Sequence, residues 1–406
     1  MSSSPRFLRI AVVLGLLSAI GPFAIDMYLP ALPAIGHQLG TDFGTAQLSL
    51  TVFFISIGIG QLLYGPVSDM VGRRPPMFFG MALFALASVG CALATDIHTL
   101  IVLRFVQGLG AAAGMAIPRA VVRDLHTGPD AARLMSLLML VFSVSPILAP
   151  LAGSGVIAAA GWRAVFWAIA VAAVAGLALL AFSLEETRPP SARVESSLGS
   201  ALRAYGRLLL DAHFLGLVFI GGFAMMGFFI YLSTSSFVMI GHYGLTPTQY
   251  SIAFGVNAAA FFGAAQLNGR LSARFGLVPL VRVGVLGASV AISLMLAHYL
   301  TGGDSLAVLI GLYFVASAFM GLVIPTTAVL ALENHGAIAG TAAALMGTLQ
   351  MLGGAVGMAV VSLFNDGRPL PMVLGMAAGL YLSLTLTLVT LGVRGRRLPS
   401  RPDCLT

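Results

Sequence analysis

The sequence predicts an all-α integral membrane protein with twelve transmembrane helices in two parallel six-helix repeats. Three observations carry that expectation. Of 406 residues, 58% are hydrophobic and 9% charged, against about 25% charged in an ordinary soluble domain. With a mean hydropathy of +0.99, a soluble globule would have no means of covering its surface. Apolar runs recur at the length that crosses a bilayer, about 20 residues. The cationic residues fall in the connections on alternate sides of those runs.

The runs lie at 8–34, 47–68, 75–94, 97–118, 131–158 and 162–184, then 214–240, 247–268, 277–299, 304–331, 337–362 and 368–391. The first follows Arg6 and Arg9, as a signal peptide would. It has no small-residue cleavage site and is followed by equally long runs, so it reads as a retained span. The polar interruption at 185–213 divides the chain. A six-helix bundle over 1–184 and a linker over 185–213 precede a second bundle with a short tail over 214–406.

Orientation follows from arginine, which supplies all 21 basic residues. Placing both termini in the cytoplasm puts every arginine there except Arg104, Arg163 and Arg368, as the positive-inside rule requires. The net charge of +7 therefore reports topology, not a nucleic-acid partner. Two cysteines, Cys91 and Cys404, give no disulfide framework. No metal-ligand spacing, nucleotide-binding loop or nucleophile triad is present, so the chain reads as no enzyme and as needing no cofactor or metal.

The halves also match in sequence. Residues 65–72 align with 269–276, and 150–153 with 354–357, both at an offset of 204; Ile117-Pro118 aligns with Ile324-Pro325 at 207. Six spans per half make the repeats parallel, with a cavity between them that can open to either side. Two joined halves complete that cavity, so the chain is expected to work as a monomer.

Gly65-Pro66-Val67-Ser68-Asp69-Met70-Val71-Gly72-Arg73-Arg74-Pro75 resembles the signature between spans two and three of the major facilitator superfamily. Leu103-Arg104-Phe105-Val106-Gln107-Gly108 resembles the fourth-span motif of its proton-coupled drug exporters. Asp26-Met27-Tyr28-Leu29-Pro30 and 118–124 resemble the Bcr/CflA drug-resistance subgroup. Residues 146–153 resemble the fifth-span antiporter motif, with Ala149 departing from its usual glycine before Pro150. The resemblance covers essentially the whole chain. It implies a proton-coupled antiporter exporting amphiphilic drugs or antibiotics across the bacterial inner membrane; the alternative is a selective metabolite exporter or importer.

Two ionisable residues sit deep in the spans, Asp26 and Arg104. A charge at a helix centre costs about 2.5–3.5 kcal/mol on insertion scales, so each needs a partner or a function. Counting from the outer ends places Asp26 roughly 13 Å and Arg104 roughly 10 Å deep. Similar depth predicts that they meet, either as a proton switch or as a structural ion pair. The resemblance implies that both are central to coupling. Gln107 shares the Arg104 face, as a cavity wall or a helix contact. Arg119 closes a gate with an acid or snorkels at the membrane edge.

Gly65 and Gly72 provide a tight turn or close approach, while Asp69 caps the next helix or pairs with Arg73 or another arginine, a lock that holds the cytoplasmic side shut while the outer side is open. In the second copy Ala273 replaces Asp69 and cannot repeat that lock. Pro150 kinks span five and Gly153 allows close packing between the halves. The superfamily's cavity-lining spans here carry Tyr28, Tyr231, Phe261 and Asn257. Aromatic walls with few polar anchors favour an amphiphilic molecule, with Tyr28 and Asn257 as its polar contacts. Protons, that molecule and membrane lipid complete the expected partners.

Overall fold

A computed structural model describes residues 5–392 apart from 127, 189, 191–197, 334 and 336–337. Arg193, the tail arginines Arg394, Arg396, Arg397 and Arg401, and Cys404 lie outside the described residues. Among the described residues, twelve helical spans are long and apolar enough to cross a membrane.

The first span is two helices, α1 (Pro5–Asp26) and α2 (Leu32–Gln38), joined through a 3-10 turn at Leu29–Ala31. Its break has a local cause: Pro30 has no N–H to give the Asp26 carbonyl four residues back, and Pro33 has none for Leu29. Then follow α3 (Phe43–Val71), α4 (Arg74–Leu93), α5 (Ile97–Leu125), α6 (Gly128–Ala160) and α7 (Trp162–Ser183). The amphipathic linker helix α8 (Leu198–Leu209) leads to the second half. That half contains α9 (Ala212–Ser236), a π-turn at Phe237–His242, α10 (Pro247–Phe275), α11 (Leu277–Leu300), α12 (Leu306–Glu333), α13 (Ala339–Ser362) and α14 (Pro369–Leu391).

The repeat is visible in packing as well as sequence. Pairings α3–α5, α4–α5 and α1–α6 recur as α10–α12, α11–α12 and α9–α13. Helix starts recur too: Asp42 accepts the Thr45 N–H at the head of α3, and Thr246 accepts the Gln249 N–H at the head of α10, 204 positions later. Gly72 and Gly276, equivalent by the same offset, end α3 and α10 at φ 101° and 84°. These positive angles are open to glycine and costly for a side chain.

The halves meet along α3–α13 and α6–α10. Taking the inner side as that of the N-terminus, the outer side is closed. Gln47 Nε2 donates to Ser233 Oγ at 2.9 Å and to the Met358 carbonyl at 3.2 Å, while its Oε1 accepts from Asn365 Nδ2 at 3.1 Å. Ser251 Oγ donates to the Pro150 carbonyl at 2.9 Å. Midway, the Phe54 and Phe229 rings meet across the halves at 4.6 Å. Below them a cavity of about 720 Å³ lies between the inner ends.

Candidate functional site

Three clusters hold the residues singled out in the sequence. In the first half, Asp26 ends α1 beside α6, where Ser145 Oγ donates to its Oδ2 at 2.8 Å. The carboxylate is buried and makes no ion pair with the described residues. Arg104 does not reach it, which corrects the expected meeting of the two charges. The Arg104 guanidinium lies 4.0 Å from the Phe53 ring centre, 4.4 Å from Tyr28 and 5.9 Å from Phe166. Ring faces substitute for a carboxylate, and a desolvated cation–π contact contributes about 2 kcal/mol. Arg104 Nη1 donates to Gln107 Oε1 at 2.6 Å, and Gln107 Nε2 donates to Ser88 Oγ at 2.7 Å. Nε and Nη2 of Arg104 have no hydrogen-bond partner. Gln107 is thus placed as a helix contact between α5 and α4. Tyr28 closes the cluster, its hydroxyl 2.6 Å from Ser49 Oγ.

The second half carries the aromatic cluster. Tyr231 on α9 stacks on Tyr313 of α12 at 3.7 Å and on Phe254 of α10 at 5.7 Å. Asn257 Nδ2 donates to the Tyr231 hydroxyl at 2.8 Å. The Asn257 Oδ1 and Tyr313 hydroxyl are buried without partners, two polar atoms aimed at no protein group. Phe261 lies aside, its ring 5.8 Å from Phe228. Tyr313 was missed in the sequence because one tyrosine in an apolar span gives no signal of its own.

The third cluster lines the inner cavity: Gly65, Asp69, Arg73 and Arg119, joined by Arg123, Asp124 and Arg188. Asp26, Arg104, Tyr28, Gln107, Asn257, Tyr231 and Phe261 do not line it. Arg73 Nε and Nη2 bind both Asp124 oxygens at 2.7 and 3.1 Å, and Nη1 meets Asp69 at 2.8 Å. Burial opposes the Arg73 charge, yet the two carboxylates outweigh it and hold the guanidinium above its ordinary pKa. Asp69 therefore pairs instead of capping, and it pairs while the inner cavity is open, so this contact within the first half does not by itself shut that side. The cap on α4 comes from the linker, where Glu186 accepts the backbone N–H groups of Arg73 and Arg74 at 2.8 and 3.1 Å. An acid at a helix start opposes its macrodipole favourably. The sequence showed Glu186 but not its reach across 112 positions.

Further geometric expectations are corrected here. Gly65 sits inside α3, and a side chain there would meet nothing within 4 Å. Its use is local, since the residue before Pro66 is disfavoured in a helix when it carries a β-carbon. Arg119 finds no acid among the described residues; it lies 5.7 Å over the Phe142 ring. Gly153 packs within the first half, where a β-carbon would strike the Met27 backbone. Its repeat partner Gly357 likewise faces Met226 of α9. The contact between halves on α6 is made by the Pro150 carbonyl.

The clusters belong to a chain with many relatives. Residues 14–358 match the Major Facilitator Superfamily. The MFS-type transporter YdgK of Bacillus subtilis is 37% identical over 90% of this chain and 91% of its own length. A bicyclomycin resistance protein homolog of Haemophilus influenzae is 30% identical over 92% and 94%. Among solved structures, a D-xylose-proton symporter superposes with a TM-score of 0.74 at 18% identity, covering 93% of this chain and 97% of that one. The twelve-span fold, its paired repeats and these matches agree. The chain belongs to the Major Facilitator Superfamily, in a Bcr/CflA-like multidrug-resistance branch, and is a secondary active transporter.

Proposed function

We propose that the protein is a proton-coupled antiporter that exports amphiphilic drugs or antibiotics from the cytoplasm across the bacterial inner membrane. The observation that carries this reading is the isolation of Asp26. It is buried at the break in the first span, its carboxylate held by one serine hydroxyl and, among the described residues, by no cation. Nothing beside it requires the carboxylate to stay ionised, so a proton can bind and leave as the halves alternate. The break itself abuts α10 of the second half, so rocking of the halves changes what surrounds the acid.

The cycle follows. With the arginine-rich side in the cytoplasm, the structure faces inward, and drug enters the inner cavity. Binding displaces the Asp26 proton; the two bundles, 1–184 and 214–406, rock about the α3–α13 and α6–α10 contacts while the 185–213 linker joins them. Protonation from outside then releases the drug. Arg104 acts by position, since arginine keeps its proton. Tyr28, Tyr231, Asn257 and Phe261 are proposed as drug contacts reached during that motion, and Gly72, Asp69 and Arg73 as the hinge at the inner end of α3. One chain suffices.

The test uses proteoliposomes with an imposed proton gradient, screened with antibiotics, dyes and metabolites at several external pH values. Wild type is expected to move unrelated antibiotics uphill, and Asp26→Asn to lose all uphill movement while remaining folded. Undiminished gradient dependence in Asp26→Asn would remove the acid from the mechanism. Strict selectivity for one metabolite would replace export of drugs.

A further inference from the structure

The inner cavity is lined by four arginines and two aspartates. The aspartates are spoken for: Asp124 is held by Arg73 and Thr187, and Asp69 by Arg73 and Arg188. Arg119 and Arg123 are left with no carboxylate within ion-pair distance among the described residues. They stand one turn apart on α5, where like charges destabilise a helix. The Arg119 Nε is buried without a hydrogen-bond partner.

The opposite wall comes from the second half. Helix α13 begins at Ala339, and Ile338 before it gives no side-chain hydrogen bond to the first turn. Arg123 reaches across to this uncapped start. A β-carbon at Gly340 would lie 2.8 Å from Arg123 Nη1, so the guanidinium rests against the first turn of α13. The positive end of a helix dipole thus faces two cations that lack a carboxylate partner among the described residues. Beside them the wall turns apolar at Met135, Ile338, Ala343 and Ala344.

We propose that Arg119, Arg123 and the start of α13 receive the oxyanion of an amphiphilic organic acid, a carboxylate or sulfonate whose apolar body lies along that wall. The inference rests on the transport reading above and narrows its substrates to anions at the loading step. Guanidinium forks match the two oxygens of such a group. Because the arginines belong to one half and the helix start to the other, an anion held by both draws the inner ends together.

The test is calorimetric titration of the full chain in phosphatidylcholine nanodiscs with β-naphthoate and with β-naphthylmethanol, which share a ring system but not a charge. Naphthoate is expected to bind at least about tenfold tighter, the gain of one charge-assisted hydrogen bond. The double variant Arg119→Gln/Arg123→Gln is expected to lose that preference while binding the alcohol as before. Should the double variant unfold, Arg123→Gln alone carries the comparison, because its side chain is exposed. Equal binding of the two probes, no binding of naphthoate, or a preference that survives the variants overturns the proposal. So does loss of naphthoate binding in nanodiscs containing phosphatidylglycerol, which would assign the site to a lipid headgroup. The titration of wild type against the two probes needs no proton gradient, so failure of the anion site is read there and failure of the proton cycle in the Asp26→Asn transport assay.

Discussion

Arg104 is a buried cation that the protein has solvated with aromatic faces and one amide. Two of its nitrogens remain without acceptors, an arrangement that burdens the fold. Replacing buried charged groups with well-packed apolar ones is often neutral, or stabilising by about 1–4 kcal/mol. Arg104→Met is therefore expected to leave the thermal midpoint unchanged or raised, yet to abolish transport in proteoliposomes. A lowered midpoint with transport retained would make the guanidinium a structural brace. The sequence showed that Asp26 and Arg104 lie at similar depth, because rise per residue converts position into depth. It did not show that they point apart, because rotation about a helix axis is settled by packing. Arg119 escaped for the same reason: its helix position was legible, but the lack of a facing acid was not.

Close contact between α1 and α6 depends on Gly153, where a β-carbon would meet the Met27 backbone. Backbone cannot swing aside as a side chain does. Gly153→Ala is expected to destabilise by about 1–3 kcal/mol, the usual range for overpacking, and to slow transport. Gly155→Ala, two positions on and facing open space, should be neutral or gain up to about 1 kcal/mol from helix propensity. Equal thermal midpoints for the two variants would refute this account of the packing. Helix existence was plain from hydropathy, but helix ends were not. Helices α3 and α5 run on to Val71 and Leu125, beyond the apolar runs ending at 68 and 118. Their last turns carry polar residues of the inner cavity, among them Asp69, Arg123 and Asp124. Hydropathy registers the lipid, whereas hydrogen bonding sets where a helix stops. The prolines that split the first span were in view, yet a run that stays apolar across a break reads as one helix.

At the scale of the whole molecule, the closed outer side rests on few polar ties. Gln47 alone bonds to α9, α13 and the segment that follows it. A hydrogen bond contributes about 0.5–1.5 kcal/mol net, so Gln47→Ala should shift the balance toward outward-facing states at least several-fold. Spin labels at the exposed outer positions His98 and Thr301 would report this as longer distances in the variant; an unchanged distance distribution would show that apolar contact alone closes this side. The twelve spans, the paired halves and the arginine asymmetry were all legible in composition and period. Gln47 was legible only as a polar residue at the edge of a span, since its partners lie 186 to 318 positions away. Concentrating three of these ties in one amide has a kinetic consequence. The bonds that it shares cannot be released one helix at a time without stranding the rest, so the barrier to exchange gathers into a single event. Half-open forms, through which ions leak down their gradient, are thereby kept scarce.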